Sequence, residues 1–403
     1  QPLKRGRLTK PWKGEVHLIP TLFDRAVQAL LLYGLEPIVE TTADNRSFGF
    51  RKGRSAHDVA RYLWFLCARK HSKYGHVLQV GIGKFFETKN QQWLIENIPM
   101  DTRILRKLLR GGVLDFNRDR LTPPIPGVSQ EGGSNPVLRP CLVNACLDGL
   151  ENALSEKLKV FLVRYGEQII VTGESPEQLE EAKKIMESFL ATRGLCLNEK
   201  NTHILTIEQG FDFIGFHFRE YKKSTAKFKK GIFLVKPSKK SIIEIQRRVS
   251  VITRKCHNAE TILLQRLNPV LRGWAEYFRT VSSTVAFSKI SHYTFGSLKR
   301  WVYRKHGRKK RRAIIRKYFK TVKTKNSVNN WVFSADTKRK ERITLFQIGE
   351  TPILNHIMVS LKQPNNPFLL ENESYFAKKR LKLLYHTVLV NKLIKGIMFQ
   401  QKG

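Results

Sequence analysis

The stretch VFLVRYGEQIIVTG, Val160 to Gly173, is the one place where this chain concentrates chemistry at a point. Val160, Phe161, Leu162 and Val163 lead into Arg164 and Tyr165, and Ile169 to Thr172 resume after Gly166-Glu167-Gln168. Two apolar, β-branched runs around a short Gly-containing break predict a tight hairpin. Its tip displays one carboxylate, Glu167, and one amide, Gln168. The first carries charge to offer a cation; the second does not.

A second kind of chemistry is spread along the chain as charge. In 403 residues there are 73 Lys and Arg against 33 Asp and Glu, a net charge of +40. An excess of this size implies a polyanionic partner, with nucleic acid the default, against the plainer reading of a solubilising or ribosomal-type basic surface. The densest run is RKHGRKKRRAIIRK, Arg304 to Lys317. His292, His306 and His356 are isolated, with no metal-site spacing. Cys67, Cys141, Cys146, Cys196 and Cys256 form no CxxC pair and read as buried free thiols. No apolar run approaches the length of a membrane span. The first residue is Gln1, not Met, so no targeting segment can be judged.

Several elements must position these groups. Asp24 to Glu36 has helical apolar spacing, and Pro37 is expected to end that helix. Ser47 to Lys70 reads as a Gly/Arg loop running into a helix with Val59, Leu63, Leu66 and Cys67 on one face. His76 to Ile82 is a short strand, and DTRILRKLLRGG is helical. The loop Thr122 to Pro136 is dense in Pro and Gly and must be irregular. After the hairpin comes the clearest helix, with Ser175 as N-cap, Pro176 at its first position, Gln178 closing a capping box and Gly194 as stop. This order predicts an α+β fold with an antiparallel sheet. From Lys236 onward the chain turns to basic, aromatic-rich helices. Leu267 to Arg279 is expected to start at Asn268 and Pro269, with Leu271, Trp274, Ala275 and Phe278 as its apolar face. Trp301 and Tyr303, beside Arg300 and Arg304, suit stacking on unpaired bases or burial in a core.

Read in order, LEPIVETTADNRSFGFRKGRSAHD (Leu35–Asp58), ENIPMDTRILRK (Glu96–Lys107), GFDFIGFHFR (Gly210–Arg219), KPSKK (Lys236–Lys240), LNPVLRGWAEYFR (Leu267–Arg279) and NNWVF (Asn329–Phe333) resemble the group II intron-encoded proteins, reverse transcriptases fused to a maturase domain. The resemblance covers nearly all of the chain and implies a right-hand polymerase fold followed by an α-helical domain. It assigns fingers to 1–75, palm to 76–235, thumb and maturase domain to 236–335, and a basic segment, possibly a remnant DNA-binding region, to 336–403. In relatives an RNA-binding extension precedes the point where QPLKR stands, and in some a nuclease domain follows the point where Gly403 stands.

The same resemblance exposes what is missing. Polymerisation in the family uses two metal ions held by carboxylates. Active relatives carry Asp where this chain has Gly81, and Tyr-Ala-Asp-Asp where it has Tyr165-Gly166-Glu167-Gln168. One carboxylate cannot hold two divalent ions against their hydration. Where relatives grip the triphosphate with Arg-Pro-Leu this chain has Glu15-Val16-His17, and for Pro-Gln-Gly-Gly it has Ser129-Gln130-Glu131-Gly132. Charge repulsion from Glu15 and Glu131 would cost a triphosphate on the order of a kcal/mol or more each. The expectation is a degenerate reverse transcriptase, with Glu87 and Glu167 sharing one metal as the contrary reading.

What the resemblance leaves is binding of a structured group II intron RNA, possibly with flanking exons or target DNA, by phosphate neutralisation and shape recognition. The residues it implies are Arg46, Arg51, Lys52 and Arg54 in the fingers, then Lys239, Lys240, Arg247, Arg248, Arg272, Arg279, Lys299, Arg300 and Arg304. Arg308, Lys309, Lys310, Arg311, Arg312, Arg316 and Lys317 complete the set. No cofactor, membrane or small-molecule substrate is expected of the protein, and any Mg²⁺ belongs to the bound ribozyme. Lys-, Asn- and Ile-rich usage suits an organellar or bacterial gene. An active retrohoming enzyme and a general splicing scaffold acting in trans are the alternatives.

Overall fold

In the computed structural model the described residues are 21–68, 74–83, 85–109, 137–221, 231–256, 260–307, 311–323, 328–336, 341–358 and 366–382, with 3–6, 17–19, 113–115 and 120–122 described for their backbone. The chain divides into two compact units, 1–214 with 218–233 and 358–376, and 215–217 with 234–357 and 377–403. The fold mixes helix and antiparallel sheet, as the element order predicts.

In the first unit Leu3–Gly6 (β1) and His17–Ile19 (β2) pair antiparallel. Helix Leu22–Thr42 (α1) starts on a capping box between Thr21 and Asp24. It runs through Pro37 instead of ending there, because Leu35, Val39 and Glu40 on either side are buried and their packing offsets the lost backbone bond. Ala56–Cys67 (α2) starts on a second box, Ser55 with Asp58, and buries Val59, Leu63, Leu66 and Cys67 as its spacing requires. Strand His76–Gly83 (β3) follows, then Thr88–Asn97 (α3) and Thr102–Leu109 (α4). Val113–Asp115 (β4) pairs in parallel with β1 and antiparallel with Arg120–Thr122 (β5).

Arg139–Leu147 (α5) and Leu150–Ser155 (α6) lead to the hairpin, Phe161–Tyr165 (β6) and Gln168–Gly173 (β7). Its loop is the two residues Gly166 and Glu167, and Gly166 takes φ +60°, the left-handed geometry that suits the first position of such loops. Pro176–Ala191 (α7) is capped by Ser175, whose hydroxyl accepts from the Gln178 N–H. The capping box is half formed: the Gln178 amide oxygen accepts from the Glu174 N–H, one residue upstream of the N-cap. Cys196–Leu197 (β8) and His203–Thr206 (β9) both pair with β3. The sheet order is β6-β7-β3-β8, with β3 central. Its core face sets Leu78, Val80, Ile82, Leu162, Ile169 and Val171 against Leu142, Cys146, Leu179, Met186 and Leu190 from the helices. Burial pushes the Cys67, Cys141 and Cys146 thiols up to about 12, so they are inert apolar fillers at neutral pH.

Phe211–Phe213 (β10), Phe216–Tyr221 (β11) and Ile232–Pro237 (β12) form a three-stranded sheet in that order. The second unit holds Lys239–Lys255 (α8), Glu260–Phe278 (α9), Thr284–His306 (α10) and Arg311–Tyr318 (α11). These pack with a sheet of Phe319–Lys323 (β13), Val328–Asp336 (β14) and Arg342–Thr344 (β15). Asn268 is not an N-cap and Pro269 does not start a helix. The buried Leu263, Leu264 and Leu267 carry the apolar face of α9 upstream of both. Asn268 instead bridges to the β15 end, donating to the Thr344 carbonyl (2.9 Å) and accepting from the Phe346 N–H (2.8 Å).

Candidate functional site

The hairpin tip and the C-terminal half of β3 lie side by side. β3 and β7 pair in register so that Gly81 lies opposite Gln168, and β6 closes the hairpin with Tyr165 opposite Gln168. These positions are therefore one cluster. Its ligand inventory is poor: Gly81 has no side chain, Gln168 is neutral, and the Glu167 carboxylate accepts from the Arg139 guanidinium at 2.8 Å. Arg139 also stacks over Phe86, 5.1 Å from its centroid. A Cβ at Gly81 would fall 2.9 Å from Asn201 Cβ, so the room an aspartate needs is filled. These residues do not fit a two-metal centre. Among the described residues no group of three or more His, Cys, Asp or Glu could hold a metal ion. Glu15, Gln130 and Glu131 lie outside the described residues.

The loop 43–55 closes against this tip. Gly49 approaches so closely that a Cβ on it would lie 2.3 Å from the Gly166 nitrogen. The next residue, Phe50, sits at φ +58°, unusual for a bulky side chain, with its ring 5.7 Å from Tyr165. The loop is fastened from beneath by fully buried Arg164, which donates to Asp148 at 2.6 Å and to the Asn144 amide oxygen at 3.1 Å. The Arg164 carbonyl accepts from the Phe48 N–H, and its own N–H donates to the Arg46 carbonyl. Burial raises the Asp148 carboxyl to about 6, against the pull of Arg164.

The same loop ties most of its own cations to internal partners. Arg51 is buried, bonded through two nitrogens to both Glu40 oxygens and through the third to the Asp44 and Ser47 carbonyls. It is a framework group, not a phosphate contact. Arg46 pairs with Glu151 and donates to the Tyr62 hydroxyl. Arg54 turns inward to the Asn45 and Ser47 carbonyls, and burial, with repulsion from Arg51, lowers its pKa to about 10. Lys52 alone of the four is exposed, its ammonium 4.6 Å over the Phe368 ring.

In the second unit the predicted cations stay largely outside. Lys239 and Lys240 are exposed in the first turn of α8, against the helix dipole and with no acidic residue in that turn, Glu244 lying one turn on from Lys240. Arg247 and Arg248 share Glu244. Arg272 is exposed and lies 5.3 Å over the Phe346 ring. Arg279 is half-buried, with Nε and Nη2 out of solvent and unpaired among the described residues, and burial lowers its pKa. Lys299, Arg300, Arg304, Arg311, Arg312, Arg316 and Lys317 are exposed along α10 and α11. Arg308, Lys309 and Lys310 lie outside the described residues. Trp301 is core, its indole N–H donating to the Cys256 carbonyl. Trp274 is half-buried in a ring cluster with Phe278 and Phe287. The sequence reading passed over Arg139 and Asn201, since neither differs in type from dozens of neighbours; only their positions beside Glu167 and Gly81 mark them.

Two family models match the chain. Reverse transcriptase (RNA-dependent DNA polymerase) matches residues 4–218, and Group II intron, maturase-specific domain matches 242–319. "Maturase-like protein 1" of Euglena gracilis is 25% identical over 279 residues, covering 67% of this chain and 56% of that protein. "Uncharacterized 59.8 kDa protein in psbD intron 8" of the same organism is 21% identical over 302 residues, covering 70% and 58%. "Nuclear intron maturase 2, mitochondrial" of Arabidopsis thaliana is 28% identical over 213 residues, covering 43% and 29%. The chain thus spans little more than half the length of the Euglena relatives and less than a third of the Arabidopsis one.

Proposed function

The chain belongs to the reverse transcriptase family and carries a group II intron maturase-specific domain, and from that membership we propose that it binds a structured group II intron RNA and stabilises its splicing-competent fold without polymerising nucleotides. Residues 1–75 then serve as fingers, 76–235 as palm, 236–335 as thumb and maturase domain, and 336–403 as a basic tail. The observation that carries this reading is the cluster of Gly81, Gln168 and Glu167. One position has no ligand and no room for one, the second is uncharged, and the third is held by Arg139. A polymerase centre needs the opposite: several carboxylates free to share two cations.

The second unit supports the RNA-binding half. Its exposed cations on α8, α10 and α11 have few carboxylates beside them, which leaves their charge for phosphate oxygens to neutralise. Mg²⁺ in such a complex belongs to the folded RNA. Intron maturase names among the relatives, one of them mitochondrial, favour an organellar setting, with a bacterial cytoplasm the alternative.

The test is to recover the protein from its host under stringent salt and sequence the RNA that comes with it. One dominant group II intron, whose splicing at low Mg²⁺ then depends on added protein, supports a dedicated maturase. Several unrelated introns would make it a general scaffold. Absence of intron RNA, or nucleotide incorporation in a primer-extension assay, would overturn the proposal.

A further inference from the structure

Between α10, α11 and β14 lies a cleft of about 540 Å³, within the size range of small-ligand sites. Three rings line it: Phe295, Tyr303 and Trp331. Four cations surround them: Lys299, Arg311, Arg312 and Arg316, with no carboxylate in the lining. Trp331 is 57% exposed, although Val332 and Phe333 beside it on β14 are buried. It meets Phe295 edge-to-face at 6.4 Å, so no ring stacks flat against it there. Tyr303 is flanked by Lys299 and Arg311, whose charges lie 5.9 and 5.4 Å from its centroid.

An indole more than half exposed leaves much of its π face unused by the edge contact with Phe295, and its placement among cations suits a ligand with both a flat π face and negative charge. A nucleotide has both. Arg312 and Arg316 share one face of α11, a turn apart, so a phosphate backbone passing the cleft meets them in succession. Tyr303 also lines a second cleft of about 420 Å³, where Arg254, Arg300 and Arg304 converge. Tyr303 belongs to the lining of both clefts, so the cations of the two flank one shared ring.

Building on the RNA-binding reading above, we propose that this cleft takes an unstacked base from a single-stranded segment of RNA, held on Trp331 and Tyr303, with the adjoining phosphates on Arg312, Arg316 and the second cleft. Paired bases are excluded because a duplex keeps its π faces inside the stack. An acidic peptide would use the cations but leave the rings without purpose.

The experiment measures binding of a short oligouridylate and of a fully abasic strand of equal length to the full chain, its Trp331→Ala and Trp331→Phe variants, and Arg316→Ala. Loss of the bases should weaken binding to the unsubstituted protein by roughly five- to a hundredfold, and Trp331→Ala should produce most of that loss, with Tyr303 keeping the rest. Combining the two should weaken binding no further than loss of the bases alone, because without a base Trp331 has nothing to stack on. Trp331→Phe should keep most of the discrimination, and Arg316→Ala should lower the salt slope by about one without touching it. If Trp331→Ala keeps full discrimination, or if polyglutamate competes as well as the oligouridylate, the base site is wrong. If intron RNA still binds in that case, the maturase reading survives; if no RNA binds at all, both fail.

Discussion

Asn201 stands where a side chain on Gly81 would have to go. A Cβ at Gly81 would lie 2.9 Å from Asn201 Cβ and 3.5 Å from Nδ2. The turn carrying Asn201 is fastened to the same strand, since the Asn198 N–H donates to the Gly81 carbonyl at 2.8 Å. The nearest atom is Cβ, not the mobile end of a long chain, so the backbone of one segment must give way before any side chain fits at Gly81.

Gly81→Asp should therefore cost about 1–3 kcal/mol through overpacking, and Asn201→Gly in the same chain should recover part of it. Denaturant unfolding of the single and double variants checks this. Equal midpoints for Gly81→Asp and the unsubstituted protein would show that the site is roomier than the contact implies. Gly81→Asp with Gln168→Asp should restore no nucleotide incorporation while Asn201 remains.

Arg139→Ala should release Glu167 at little cost. The pair is part-exposed, with 19% and 39% of its side chains open, and such pairs contribute less than about 1 kcal/mol. Primer extension with Mg²⁺ or Mn²⁺ should stay at background, since one freed carboxylate does not make a two-ion site. Incorporation by this variant alone would mean that Arg139 was a lock on a working centre.

Arg51 and Arg312 should behave as opposites. The Arg51–Glu40 pair has 5% and 4% of its side chains exposed, and Arg51→Ala strands a buried carboxylate, costing about 3–5 kcal/mol. The slope of log K against log salt for RNA binding should not change in the folded fraction. Arg312→Ala should leave the unfolding midpoint in place and lower that slope by about one. A reduced slope for Arg51→Ala at full folding would return Arg51 to the RNA contacts.

Asp148 gives stability a term that runs opposite to the usual carboxylate. Its folded pKa of about 6 lies above its unfolded value of about 3.9, so the folded chain holds the proton more tightly. The stabilisation is complete below about pH 4 and is lost as pH rises through about 6. Asp148→Asn imitates the protonated form. Relative to that variant, the unsubstituted protein should lose ground between about pH 4.5 and 7 in denaturant melts; a constant gap would show that Arg164 keeps the carboxylate charged throughout.

Local patterns were readable where a few consecutive residues decide the outcome. Ser175 with Pro176 and the Gly166 break each act over four positions or fewer, and each forms the predicted element boundary. Pro37 and Asn268-Pro269 misled for one reason: a boundary signal competes with the burial of residues on both sides, and burial is set by other segments. Leu35 with Val39 and Leu267 with Leu271 hold their helices together across those prolines.

The sequence by itself determined the family, the basic balance and the missing ligands, because a glycine cannot coordinate and an amide carries no charge in any fold. Tertiary structure decided which charges remain for a partner. Arg46 and Glu151 lie 105 positions apart and Arg139 and Glu167 lie 28 apart, yet each pair meets. Whether an arginine faces a phosphate or a carboxylate depends on which segments the sheet and helices bring together. Trp301 and Trp331 are the same residue in similar basic surroundings; one is 3% exposed in the core and the other 57% exposed at a cleft. Residue type supplies the chemistry, and only packing assigns it a neighbour.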